Sequence, residues 1–425
     1  MKKMYLLAGL SLLATPLLAQ RTLIHCGNLF TGTGNTLQPQ MTVVVDGNKI
    51  TAVQKGYTAA SGQDKVIDLK NKTVLPGLID MHVHLESQTR RGGTIDNFTM
   101  NPADVAFRAA QYAKTTLLAG FTTVRDLGGS GINVSLRNAI NAGLVDGPRV
   151  LTVGKSIATT GGHADPTNGY KKSLQGDPGP EDGVINSPEE ARKAVRQRYK
   201  DGSDLIKITA TGGVLSNAKD GSGPQFTQDE VDAVVKAAND YGFAVAAHAH
   251  GAEGMKRAIK AGVQTIEHGT LMDDEAIELF KKHGTYYVPT IIAGKTAADS
   301  ARHFGYYPPL VVPKALAIGP KIQATFGKAY KAGVKIAFGT DAGVFIHGYN
   351  AKEFEYMVEA GMPAVEAINA ALLTNARLLK MVDQIGSIET GKFADIIAVD
   401  DNPIQNIKTL QAVTFVMKDG KVYKQ

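Results

Sequence analysis

Between about residues 79 and 385 short apolar or β-branched runs alternate with helix-like stretches, and this alternation limits the available folds more than any other feature of the chain. The runs are LIDMHVHL, FTTVRDLG, RVLTVGK, DLIKITATG, FAVAAHAH, VQTIEHG, TYYVPT and VKIAFGTDA, with SPEEARKAVRQRYKDG, TQDEVDAVVKAANDYG and DDEAIELFKKHG among the stretches between them. Strands joined through helices pair in parallel, because each crossover returns the chain to the same end of the sheet. Eight strand segments in this pattern predict an α/β fold, a (β/α)8 TIM-type barrel over residues 79–385. Ser187 with Glu190 and Thr227 with Glu230 predict capping boxes, and Gly202, Gly242 and Gly284 stand where helices should stop.

The two ends of the chain share a different texture. TLIHCGNLF, TVVVDGNKITAV and KVIDLKNKTVL near the start, and ADIIAVD and VTFVMKDGKVYKQ near the end, read as strands with tight turns at Asp46-Gly47-Asn48 and Asp419-Gly420. Residues 20–78 and 386–425 are therefore expected to build one small β-sandwich domain. Residues 1–19, with Lys2 and Lys3 ahead of an apolar run and Ala19 at its exit, have the form of a cleaved signal peptide. The run is too short to serve as a stable membrane anchor. The expectation is an exported protein, periplasmic or extracellular. Without Lys2 and Lys3 the formal charge falls from +6 to +4, and the remaining cations are interspersed with acids. No basic stripe points to nucleic acid. Cys26 is the single cysteine, so an intramolecular disulfide is excluded.

The barrel reading places active-site residues at the C-terminal ends of strands. His82 and His84 end the first strand, Lys207 lies in the fourth, His248 ends the fifth, His268 the sixth and Asp341 the eighth. Residues two apart on a strand share a face, so His82 and His84 can chelate together. Four histidines and a carboxylate meeting at one mouth point to metal. A charged Lys207 in that interior would be disfavoured by burial and by like charge; the readings open are a neutral amine, a carbamate formed with carbon dioxide, or a side chain directed outward between helices.

These residues, together with the segments TVLPGLIDMHVHL, TGGH, AAHAHG, IEHGT and GTDAG, resemble the amidohydrolase superfamily. Within it the chain is similar to the branch of imidazolonepropionase-like proteins, prolidase-type Xaa-Pro dipeptidases and enzymes that cleave N-acyl amino acids. The resemblance covers essentially the whole mature chain. It implies two divalent metal ions, usually zinc. His82, His84 and Asp341 would hold the more buried one, His248 and His268 the other, and carboxylated Lys207 would bridge them. It also implies a metal-bridging hydroxide as nucleophile, with Asp341 as general base and then acid.

On the substrate side the resemblance assigns His163 to the scissile carbonyl or the substrate carboxylate. His250 replaces a tyrosine that prolidase-like members often carry, which puts proline specificity in doubt. Arg125 is a candidate for a substrate carboxylate or for pairing with Asp126, and His347 for the rim. The leading expectation is hydrolysis of dipeptides or N-acyl amino acids, ochratoxin-like amides included, to release a C-terminal amino acid. Ring-opening of cyclic amides or lactones is the alternative, followed by a deaminase using Glu253 as acid and by a catalytically silent binding barrel. The small-molecule substrate is the expected partner, and a homo-oligomer is compatible with the sequence. The loop HFGYYPPLVVP (303–313) is a candidate lid, substrate wall or subunit contact.

Overall fold

A computed structural model describes residues 20–219 and 221–425, so the signal peptide expected over residues 1–19 lies outside the described residues. The chain first forms β1 (Thr22–Leu29), β2 (Gln38–Asp46), β3 (Lys49–Lys55) and β4 (Lys65–Pro76). Then follow β5 (Leu78–Val83), β6 (Phe121–Asp126), β7 (Arg149–Thr152), β8 (Ile206–Thr209), β9 (Val245–Gly251), β10 (Thr265–Leu271) and β11 (Tyr286–Val288). Last come β12 (Ile396–Val399), β13 (Phe415–Lys418) and β14 (Lys421–Lys424).

Both chain ends enter one seven-stranded sheet in the order β14-β13-β12-β4-β1-β2-β3. Sequence texture predicted that they would join, but hydrogen bonding gives one continuous sheet where two stacked sheets were expected. The reason is the long β4, which pairs with β1 through Lys65–Leu69 and Thr73–Val74 and with β12 through Thr73–Pro76, so no edge is left between them. Asp46 pairs with Lys49 across the predicted turn, where Gly47 has φ 56°. Lys418 pairs with Lys421 across Asp419 and Gly420, at φ 49° and 75°. Such two-residue hairpins need positive φ, which explains the glycines. A separate apolar cluster including Ile24, Val43, Ile67, Ile396 and Phe415 packs within this sheet.

The middle of the chain forms two parallel sheets, β5-β6-β7 and β11-β10-β9-β8. Every residue of β5, β6, β8 and β9 is buried, as expected for parallel strands covered on both faces. Isolated parallel bridges, Ile157 to Ile208, Tyr287 to Ile336 and Val83 to Ala342, cross the open edges. The predicted eighth strand, VKIAFGTDA, makes only such bridges and forms no ladder. Asp341, at φ 61°, breaks its extended run just where the segment reaches His82, whose carbonyl accepts the Asp341 N–H at 2.7 Å.

Helices between the strands follow their local signals. Thr227 and Glu230 form the full capping box. Ser187 caps Glu190, but Glu190 reaches back to the N–H of Asn186 at 2.6 Å, one residue earlier than a box requires. Gly202, Gly242 and Gly284 all have positive φ at helix ends. The main core joins strand and helix faces through residues such as Leu117, Val124, Ile206, Ile266 and Phe338. Each such burial contributes about 1.5–3 kcal/mol. No helix among the described residues is long and apolar enough to cross a membrane.

Candidate metal centre

His82 and His84 at the C-terminal end of β5, Lys207 within β8, His248 and His268 midway along β9 and β10, and Asp341 line one cavity of about 170 Å³. Ring centroids of His82 lie 5.3 Å from His84 and 5.1 Å from His268, and those of His248 and His268 are 4.6 Å apart. Asp341 Oδ1 stands 3.4 Å from His82 Nε2 and 3.3 Å from His84 Nε2. Ligand atoms of His82, His268 and Asp341 fall within 4.8 Å of one another, a spacing suited to one metal ion. His268 thus approaches His82 and Asp341 as well as His248.

The second nitrogen of each imidazole is already committed. His82 Nδ1 meets Glu267 Oε2 at 2.9 Å, His84 Nδ1 meets the Gly128 carbonyl at 2.7 Å, and His268 Nδ1 meets Thr290 Oγ1 at 2.7 Å. In His248 it is Nε2 that faces a carbonyl, that of Gly212, at 3.2 Å. Such contacts fix ring orientation and leave Nε2 of three rings, and Nδ1 of His248, as the donor atoms. Burial, and then the Lys207 ammonium, holds His84 down at about 4, and burial holds His82, His248 and His268 well below the usual histidine range. Neutral imidazoles with free lone pairs beside a carboxylate form a donor set that fits a divalent ion such as zinc.

Lys207 is buried, and loss of hydration pulls its pKa down against the attraction of Glu267 and Asp341. Burial pushes Asp341 up, opposed by Lys207. Backbone strain gathers here as well. His268, Thr290 and Asp341 all have left-handed φ, 71°, 50° and 61°, unusual for residues bearing a Cβ. Because His268 interrupts the pleat, both it and the adjacent Glu267 reach His82, although neighbours on a regular strand point to opposite faces.

His163 and His250 also line the cavity. His163 lies tilted against His248 at 4.3 Å between ring centroids, and its buried Nδ1 has no hydrogen-bond partner. His250 packs 5.0 Å from His268 and its Nδ1 faces Thr270 Oγ1 at 3.0 Å. Another part of the lining is apolar, with Ala297, Ile318 and Ile322 from the helices Ile291–Ala301 and Val312–Lys331 and Val214, Leu215 and Val344 from loops.

Three sequence expectations need correction. Arg125 does not line the cavity; it is buried beneath it, donating to the Met81 carbonyl at 2.6 Å and to Glu267 Oε1 at 2.8 Å. Nor does it pair with Asp126, whose carboxylate receives Leu85 N, Gly128 N and Asn133 Nδ2. His347 likewise sits outside the cavity, stacked on Tyr112 and bonded to the Ser87 carbonyl at 3.0 Å. Glu253 points outward from its helix to Arg257 at 2.9 Å, which removes it as a deaminase acid. The sequence reading missed Glu267, the carboxylate linking Arg125 to His82, and Asp80, which receives the backbone N–H groups of His82 and Thr340 at 3.0 and 3.1 Å. Both lie inside the quoted segments TVLPGLIDMHVHL and IEHGT, and that position was the one available signal.

Comparison with known proteins agrees with this geometry. Residues 73–424 match the amidohydrolase family. The chain is 32% identical over 443 residues to ochratoxinase of Aspergillus niger, covering 96% of this chain and 87% of that protein. It is 24% identical to imidazolonepropionase of Treponema denticola over 420 residues, 89% of this chain and 91% of that one. A crystal structure of a Xaa-Pro dipeptidase with bound methionine in the active site matches with TM-score 0.93 and 55% identity, over 96% of this chain and 100% of that one. The chain belongs to the amidohydrolase family and is a hydrolase acting on amide bonds.

Proposed function

We propose that this protein is an exported binuclear-metal amidohydrolase that cleaves dipeptides or N-acyl amino acids, ochratoxin-like amides among them, releasing a C-terminal amino acid. The observation that supports it best is the convergence of four anchored, neutral imidazoles, Asp341 and buried Lys207 on one cavity. His82, His84 and Asp341 would hold one ion, His248 and His268 the second, and Lys207 both, as a carbamate. A lysine whose pKa is lowered by burial offers the neutral amine that carbon dioxide requires.

When bound, the ions supply an activated water and polarise the amide carbonyl. Asp341, with Oδ1 directed at the two imidazoles, takes the water proton on its other oxygen and returns it to the leaving amine. His163 offers its unpaired Nδ1 to the substrate carbonyl or carboxylate. His250, with Nδ1 committed to Thr270, offers Nε2 to the substrate carboxylate. The apolar wall favours an uncharged substrate side chain, since each buried methylene contributes about 0.8 kcal/mol and a charge without a partner is penalised. The similarity to ochratoxinase and to a dipeptidase structure holding methionine supports the same substrate class.

We also propose that the central strands close into an eight-membered barrel through the bridges at Ile157, Tyr287 and Val83, and that residues 20–78 and 386–425 form a distinct domain, supported by their own sheet and apolar cluster. Metal analysis tests the assignment. About two equivalents per chain are expected, falling in Lys207→Ala and His268→Ala; full occupancy in both variants would remove the assigned ligands.

A further inference from the structure

We infer that Glu353 is a positioning residue of the metal centre, acting on His268 through the turn at Thr290. The inference rests on His268 being a metal ligand. Glu353 lies on the helix Lys352–Glu359, beyond the eighth segment, and is fully buried. Its two carboxylate oxygens accept the N–H groups of Ile291 at 2.8 Å and Ile292 at 2.7 Å. These are the first residues of the helix Ile291–Ala301, whose opening amides have no partners inside the helix.

Thr290 occupies the position from which a threonine side chain normally caps such amides. It makes no such bond. Instead its backbone is left-handed, at φ 50° and ψ 44°, and its Oγ1 faces His268 Nδ1 at 2.7 Å. The capping role has passed to Glu353, on another element, and the Thr290 hydroxyl is free to orient the imidazole. A left-handed β-branched residue and a buried carboxylate are each unfavourable. The arrangement is accounted for if the Thr290 hydroxyl is needed at His268. On the other side of that histidine, the Tyr287 hydroxyl donates to its carbonyl at 2.8 Å, so backbone and ring are held separately.

Glu353→Gln, Thr290→Val and the double variant test this, each loaded with cobalt(II). Cobalt affinity is read by chelator competition, and the visible ligand-field bands report geometry at the ion. Partners that orient a ligand histidine typically change metal affinity 10–100-fold. Each single variant should therefore weaken cobalt about 10–100-fold and alter the bands, while the double variant loses no more than the worse single, because both act through one contact. Thr290→Ser, which keeps the hydroxyl, should restore wild-type affinity. Should Glu353→Gln not fold, Glu353→Asp replaces it in the same comparison. Singles within about twofold of wild type with unchanged bands, or losses that multiply in the double variant, overturn the inference. Wild-type protein that takes up no cobalt overturns the ligand assignment and this inference with it.

Discussion

Replacing Arg125 with methionine isolates the polar bridge beneath the site. Arg125 and Glu267 are buried to 1% and 0% exposure and meet at 2.8 Å, while the other Glu267 oxygen holds His82 Nδ1 at 2.9 Å. Methionine keeps much of the aliphatic length and removes the cation. Glu267 is then a buried carboxylate without its charge partner, which typically costs about 3–5 kcal/mol, and the Met81 carbonyl loses its 2.6 Å donor, adding about 1 kcal/mol. The expected loss is about 4–6 kcal/mol of unfolding free energy, measured by urea denaturation of the metal-free protein so that a change in zinc affinity does not enter. Adding Glu267→Gln removes the stranded charge while leaving an acceptor for His82, and should recover about 2 kcal/mol. A loss under about 1 kcal/mol, or a double variant no better than the single, would refute the idea that this pair is held by charge compensation.

Other outcomes follow from the same geometry. Lys207→Ala should lose most bound metal and most hydrolysis, with partial rescue by short carboxylic acids that stand in for the proposed carbamate; normal turnover in the variant contradicts the proposed bridge. Ile318→Glu, placing a charge in the apolar wall, should cut kcat/KM for substrates with apolar side chains at least about tenfold, a penalty of about 1.4 kcal/mol. His347, held down at about 4 by burial against its hydrogen bond to Ser87, binds fewer protons when folded than unfolded between that value and about 6.5. Its contribution is complete above about pH 6.5 and falls by about 3 kcal/mol as pH drops to 4, so His347→Gln should flatten the acid limb of stability by up to one proton.

The proposed metal ligands were legible because chelating residue types ended predicted strands, and strand periodicity alone put His82 and His84 together. The groups that orient them were not, because their partners are distant in sequence. Glu267 meets His82 across 185 residues and Thr340 reaches Asp80 across 260, so nothing local beyond their place in the histidine motifs distinguishes these carboxylates from solvated ones. Arg125 illustrates the difficulty: its neighbour Asp126 was the obvious partner, yet Asp126 turns to the backbone of Leu85 and Gly128. The terminal strands were recognised from their turns, but whether they stack or continue one sheet depends on how far β4 extends, which short-range patterning does not encode. The apolar wall was also hidden, since it is gathered from two helices, whose sequences, rich in alanine and glycine, read as ordinary core, and from loop residues distant in sequence.

Release of a free amino acid by the proposed metal centre is the most direct test. Zinc-reconstituted mature protein and its Asp341→Asn variant should be incubated with Xaa-Pro, Xaa-Arg, Xaa-Phe and N-acyl amino acids, and the product amines identified by mass. The account predicts that the wild type releases a C-terminal amino acid, fastest where the side chain is apolar, and that Asp341→Asn releases almost none. Metal-loaded wild type that releases no amino acid from any substrate, or an Asp341→Asn variant of undiminished activity, would contradict it.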